Sequence, residues 1–212
     1  MQLTKVFNKT ENLGCLHPLG IMYLAGMLRD RQPGKHDLAL HDMILRRETA
    51  DEALPKILAH EPDVVGFSCM THEASVMHEL AKRVKAARPK TKVLVGGPYT
   101  DANPEKILQN RAIDFVFVNE AEFTFEEFMR RHEAGDEQPE IEGLAFMRGN
   151  EYVYKGVREQ SDGAVLDSIP FPAWDLVEVE AYYDAPRFTP SYARREYMSL
   201  FTSRGCPYQC TY

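Results

Sequence analysis

Three short apolar runs restrict what this chain can fold into: Asp63-Val64-Val65-Gly66-Phe67-Ser68, Lys92-Val93-Leu94-Val95-Gly96-Gly97 and Ile113-Asp114-Phe115-Val116-Phe117-Val118. Each is too short for a helix, rich in β-branched or aromatic residues, and nearly continuous where a half-exposed strand would alternate. Strands buried on both faces, as in a parallel sheet, carry that pattern. Parallel neighbours need crossover connections, and the stretches between the runs are helical. Residues 72–88 put Val76, Leu80 and Val84 on one stripe, with Thr71 as N-cap and Pro89 just past the end. Residues 104–110 predict a shorter helix opened by Pro104. Residues 121–133 align Phe125, Phe128 and Met129, and Glu120, Glu122, Glu126 and Glu127 lie early in that helix, where its dipole favours negative charge.

Upstream, residues 3–7 read as a weak first strand, 19–31 as a helix, 38–41 as a second strand and 49–60 as the next helix. Strand and helix alternating over residues 1–135 predict an α/β fold, an open doubly wound parallel sheet, without fixing strand order. A polar stretch from Ala134 to Glu140 closes this domain. Residues 136–195 read as a connector. It opens with a small β-hairpin, residues 143–147 and 152–155 around Arg148-Gly149-Asn150, and continues as an irregular run rich in proline and aromatics. Residues 198–202 predict a short strand that begins a third segment, 196–212, and delivers Cys206 and Cys210 into a loop.

That loop is Ser203-Arg204-Gly205-Cys206-Pro207-Tyr208-Gln209-Cys210-Thr211-Tyr212. Its cysteines are three residues apart, with glycine before and proline between. A third cysteine at the next position would complete CxxxCxxC, a spacing that holds a [4Fe–4S] cluster by three thiolates and leaves one iron open. The sequence reads as stopping one residue short of its own metal site. A zinc pair or a thiol couple is the other reading of Cys206 and Cys210, but zinc needs a second pair, and Cys15 and Cys69 stand alone as small buried hydrophobes.

A length of 212 residues allows one domain and part of another. A net charge of −7 argues against nucleic acid as a partner. No signal-peptide pattern and no membrane-spanning apolar run are seen, so the expected compartment is cytoplasmic, where four cysteines suggest metal or redox chemistry before disulfides.

Ligands of open parallel sheets sit beyond the carboxyl ends of the strands. Here those ends supply His41 and Asp42, then Ser68, Thr71 and His72, then Gly96-Gly97-Pro98-Tyr99-Thr100, then Asn119-Glu120. Adjacent glycines let backbone approach a bulky ligand, or simply make a tight turn. There is no GxGxxG and no GxxxxGK[ST], which weighs against a dinucleotide or P-loop phosphate site.

Several segments occur in a telling order: Pro18-Leu19-Gly20 with Tyr23-Leu24-Ala25, Asp63–Ser68, Val95-Gly96-Gly97-Pro98, Asn119-Glu120-Ala121-Glu122, Ile169-Pro170-Phe171-Pro172-Ala173-Trp174-Asp175, and Thr202–Cys210. In that order the chain resembles the N-terminal portion of radical SAM proteins that carry a cobalamin-binding domain, a group including anaerobic magnesium-protoporphyrin cyclase-like enzymes and many methyltransferases. The resemblance implies a flavodoxin/Rossmann-like cobalamin-binding domain followed by the first strand of an incomplete radical SAM barrel. Matching positions make Ser68 and Thr71 polar contacts of the corrin and Gly96, Gly97 and Pro98 the backbone beside its nucleotide tail. Glu120 would lie at the rim, where many family members read Gly-Glu in place of Asn119-Glu120. Cys206 and Cys210 match the first two cluster ligands, and Tyr212 the aromatic position beside the adenine of S-adenosylmethionine.

The implied cofactors are cobalamin, a [4Fe–4S] cluster and S-adenosylmethionine. The implied partners are a C-terminal barrel of the same protein and a reductant such as ferredoxin or flavodoxin. The implied reaction of a whole enzyme is S-adenosylmethionine cleavage followed by methyl transfer or oxidative cyclisation; a non-catalytic corrinoid-binding or docking module is the alternative. Corrinoid carriers that ligate cobalt use Asp-x-His-x-x-Gly, which this chain lacks. Its nearest fragment, His41-Asp42-Met43, has the wrong order, and His17 and His72 are weaker candidates.

Overall fold

The computed structural model describes residues 1–5, 15–159, 163–185, 195–205 and 208. Seven strands form one sheet: β1 (Gln2–Lys5), β2 (Ala39–Asp42), β3 (Val64–Ser68), β4 (Lys92–Gly96), β5 (Phe115–Phe117), β6 (Leu144–Arg148) and β7 (Glu151–Tyr154). Their spatial order is β2-β1-β3-β4-β5-β6-β7. The first five are parallel and the last two antiparallel. The strand order reverses between β1 and β3, which makes their carboxyl ends the topological switch point.

The apolar runs therefore bury both faces, as their continuity requires. On one face Val64, Leu94, Phe115 and Phe117 pack under helix α1 (Leu19–Arg31) and helix α6 (Glu122–Glu133). On the other, Val65, Phe67, Val93, Val95 and Val116 pack under α3 (Ala50–Ala59), α4 (Ala74–Ala87) and the short α5 (Pro104–Ile107). Between β2 and α3 lies a one-turn helix, α2 (Met43–Arg46), capped by the Asp42 side chain.

The structure refines the sequence reading in several places. Thr71 does not cap α4: it opens a 3₁₀ turn, Thr71–Glu73, and the Glu73 carboxylate accepts the Met70 N–H at 2.7 Å. The hairpin expected over residues 143–155 forms, and β6 adds to the β5 edge and prolongs the sheet. Residues 198–202 carry no strand, since among the described residues no neighbouring strand pairs with them. The first strand spans Gln2–Lys5, and the expected residues 6–7 lie outside the described ones.

The proline-rich run has structure of its own: α7 (Gly163–Asp167), a 3₁₀ turn Trp174–Leu176, and α8 (Val179–Tyr183). It straps the sheet domain. The Ala173 N–H donates to the Met22 carbonyl at 3.0 Å. A Cβ on Gly26 would stand 2.3 Å from the Phe171 carbonyl oxygen, so only glycine lets the strap lie on α1 there. Buried Tyr182 donates its hydroxyl to Asp42 at 2.8 Å and stacks on His17 at 4.4 Å. Among the described residues, no helix is long and apolar enough to cross a membrane.

Candidate functional site

The strand residues facing α1 and α6 become small toward their carboxyl ends. In β3 that face carries Val64, Gly66 and Ser68; in β4 it carries Lys92, Leu94 and Gly96. Ser68 pairs with Gly96 and Gly66 with Leu94, so the missing side chains lie side by side. On α1, Gly20 has nothing within 4 Å of where a Cβ would be. A cavity of about 260 Å³ opens in that gap. Its floor is Gly66, Ser68 and Gly96, its walls are Leu3, Ile21, Leu24, Phe117 and Phe125, and its rim is Gly97 with residues 119–122. Phe201 and Arg204 complete the lining.

Local backbone geometry explains the rim. Gly97 has φ +91°, and a Cβ there would meet the Cys69 N and O at 2.9 Å and the Ser68 Oγ at 3.1 Å. The Cys69 N–H donates to the Gly96 carbonyl at 3.0 Å, and the Tyr99 N–H to the Cys69 carbonyl at 3.1 Å, so the loops after β3 and β4 are laced together. Gly97 is thus required by this packing before any ligand is considered. Thr100, buried, donates to the Phe117 carbonyl at 2.6 Å and ties the same loop to β5. Asn119 has φ +67°, the left-handed conformation that asparagine and glycine adopt most readily. That accounts for asparagine where the resembling family has glycine.

Of the residues expected from sequence, Ser68, Gly96, Gly97 and Glu120 meet at this cavity. Thr71 and Pro98 stand in the adjoining turns and do not line it. Cys206, Cys210 and Tyr212 lie outside the described residues. Neither histidine weighed for cobalt lines the cavity: His17 is buried among Trp174, Tyr182 and Tyr197, and His72 lies beside Glu73. The His41-Asp42 fragment is structural, with His41 on buried Glu48 and Asp42 capping α2.

Buried Cys69 donates its thiol to the Met70 carbonyl at 3.1 Å; burial, with Glu73 nearby, pushes its pKa well above the usual thiol range, so it stays protonated. Among the described residues, no three histidine, cysteine or acidic side chains gather as a metal site.

The sequence reading missed Gly66, Gly20 and Arg204. A glycine inside a buried strand signals close backbone approach, and that signal was present in the Gly66 run. Arg204 carried none. Its guanidinium stands 2.6 Å from the Glu122 carboxylate and 3.5 Å from that of Glu120. Burial works against its charge, but the two carboxylates hold its pKa above the ordinary value.

The cavity suits a corrinoid's nucleotide tail in three respects. It lies at the carboxyl ends of the strands beside the switch point, side chains at Gly20 and Gly96 would fill it, and its walls are mostly apolar.

Comparison with known proteins agrees with that geometry. Residues 8–129 match the family described as the B12 binding domain. An uncharacterized methyltransferase, PH0819, of Pyrococcus horikoshii is 29% identical over 200 residues, covering 92% of this chain and 40% of that protein. The anaerobic magnesium-protoporphyrin IX monomethyl ester cyclase of Synechocystis is 24% identical over 210 residues, covering 93% of this chain and 38% of that protein. The chain thus spans about two fifths of either relative. The radical S-adenosylmethionine methyltransferase TsrM from Kitasatospora setae superposes with a TM-score of 0.61 at 17% identity, over 72% of this chain and 29% of that one, a likeness of fold.

Proposed function

Because this chain belongs to the B12 binding domain family, we propose that it is the cobalamin-binding part of a radical SAM enzyme, with the nucleotide tail of the corrinoid in the cavity between α1 and α6. The observation that carries this reading is the cavity at the strand ends, where Gly20 and Gly96 have no side chain to fill it and Ser68 has only a small one. Ser68 offers a hydroxyl, Gly96 and Gly97 offer half-buried backbone without side chains, and Glu120 offers a carboxylate at the rim. In the flanking turns, Thr71 contacts the corrin and Pro98 stands beside its nucleotide tail. Among the described residues, no histidine lines this cavity.

In the whole enzyme, Cys206 and Cys210 serve as two thiolate ligands of a [4Fe–4S] cluster and Tyr212 stands by the adenine of S-adenosylmethionine. The cluster, when bound, supplies one electron for cleavage of the sulfonium. The protein's part is to bind, orient and exclude water. The parent reaction is methyl transfer or oxidative cyclisation, in a larger cytoplasmic protein with a radical SAM barrel and a ferredoxin or flavodoxin as reductant. In this arrangement residues 1–135 are the cobalamin-binding unit, 136–195 the connector and 196–212 the start of the barrel. The supports are family membership, the ordered motifs running into Cys206 and Cys210, and the fold shared with TsrM.

The test is direct. The protein is incubated with hydroxocobalamin, desalted, and its visible spectrum recorded. Corrin absorbance should stay with the protein and be lost in Ser68→Trp. Absence of corrin from the unaltered protein would leave a docking module.

A further inference from the structure

The segment 195–205 reaches the cavity from the far end of the chain. The Tyr197 hydroxyl donates to the Cys15 carbonyl at 3.1 Å, and Ser199 Oγ is 3.1 Å from His17 Nδ1. Met198, Leu200 and Phe201 are exposed. Arg204 is different. Its guanidinium stands 5.1 Å from the centre of the Tyr23 ring and 5.8 Å from that of Phe201, and those two rings stack at 6.0 Å. It also meets Glu122, whose side chain is only 5% exposed. A carboxylate that buried is costly unless paired, and its other oxygen, Oε2, has no hydrogen-bond partner among the described residues. Both Arg204 and Glu122 line the cavity.

We propose that Arg204 is a positioning residue for the corrinoid: anchored on Glu122 and Glu120, it fixes residues 201–205 as the roof over the cavity, so that tail binding and roof closure reinforce each other. The inference rests on the corrinoid reading above and names the residue that joins the binding domain to the segment leading into Cys206. Because Phe201 and Arg204 form part of the wall, a group filling the cavity gains contacts only when the roof is down. By linkage, the factor by which the roof tightens binding equals the factor by which binding tightens the roof.

The test uses the full chain, hydroxocobalamin as probe, and the variants Arg204→Met, Arg204→Lys, Glu122→Gln and the Met/Gln double. Arg204→Met and Glu122→Gln should each weaken hydroxocobalamin about tenfold, the size of one hydrogen bond between charged groups. The double should be no worse than either single, and Arg204→Lys should recover part of the loss. Hydrogen exchange should show residues 199–205 protected about tenfold by hydroxocobalamin in the parent and unprotected in Arg204→Met, the reciprocal expected from linkage. A merely structural role would leave that ligand-induced protection unchanged. Parent-like affinity and protection in the variants overturn this inference while the corrinoid reading stands. Failure of the parent protein to hold hydroxocobalamin overturns both.

Discussion

The two faces of one sheet are built from the same strands and differ in a few side chains. Under α3 and α4, Val65, Phe67, Val93, Val95 and Val116 fill the space. Under α1 and α6, the alternate residues of the same strands end in Gly66, Ser68 and Gly96, and a cavity results. Period-two alternation means that each residue of a strand serves one face only. The chain could therefore thin one side of its core without weakening the other. The filled face should answer to mutation in stability, and the thinned face in ligand retention.

The largest effect expected is on the filled side. Leu80 of α4 is fully buried there. Leu80→Ala should cost about 3 kcal/mol of unfolding free energy, read by urea denaturation, with hydroxocobalamin affinity of the remaining folded protein unchanged. A loss of affinity at constant fold would break the division between faces.

Gly96→Val inverts that result. A Cβ at Gly96 meets nothing closer than Phe117 Cβ at 3.8 Å, so there is room, and a β-branched residue suits a strand. Stability should hold or rise by less than about 1 kcal/mol. The new methyl groups occupy the cavity, and hydroxocobalamin affinity should fall roughly ten- to hundredfold. A variant both stable and fully competent for the corrinoid would remove the cavity from consideration.

These cases also mark what the sequence could tell. The filled face was legible, because continuous β-branched runs and the Val76, Leu80 and Val84 stripe fix strands and helix without tertiary information. The Gly96-Gly97 pair was legible as a strand-end loop, but its φ requirement comes from Cys69, a contact no local pattern encodes. Gly66 hid inside a run that reads as ordinary buried strand. The docking of β6 on β5 was not legible either, since a hairpin has the same pattern whether it stands alone or extends a sheet. Arg204 was invisible because a single arginine has no periodicity, and its meaning depends on Glu122 from a distant helix.

The rim offers a second contrast. At the end of β2, an edge strand of the sheet, Glu48 is buried against His41 and Lys56. Burial alone would raise its pKa, but the hydrogen bonds from Lys56 and His41 outweigh it and hold the value below the ordinary 4.5. A folded-state pKa below the unfolded one contributes stability above the unfolded value and loses it as pH falls through the folded one. Glu48→Gln should therefore cost about 1–2 kcal/mol at pH 7. The gap should shrink below pH 4.5, seen as converging thermal midpoints, and corrinoid affinity should not change. A gap independent of pH would mean that Glu48 acts by shape and not by charge.

The smallest effects belong to the strap on α1, where shape and charge can be separated. Met22, Gly26 and Arg29 form one line on that helix, and the strap touches all three. Gly26→Ala would gain about 1 kcal/mol in helix propensity. Its Cβ, however, must displace the Phe171 backbone oxygen 2.3 Å away, and backbone yields less readily than a side chain. The net result should be a loss of about 1–2 kcal/mol. The Arg29 Nη1 donates to both carboxylate oxygens of Asp175 at 2.6 Å, and these hydrogen bonds hold the Asp175 pKa below the ordinary carboxylate value. The two side chains are 41% and 67% exposed, so water and salt screen the attraction. Asp175→Asn should lower stability by less than about 1 kcal/mol, and the difference should vanish in high salt. A loss from Asp175→Asn exceeding that from Gly26→Ala would mean the strap is held by its charges; the reverse order means it is held because one residue of α1 has no side chain.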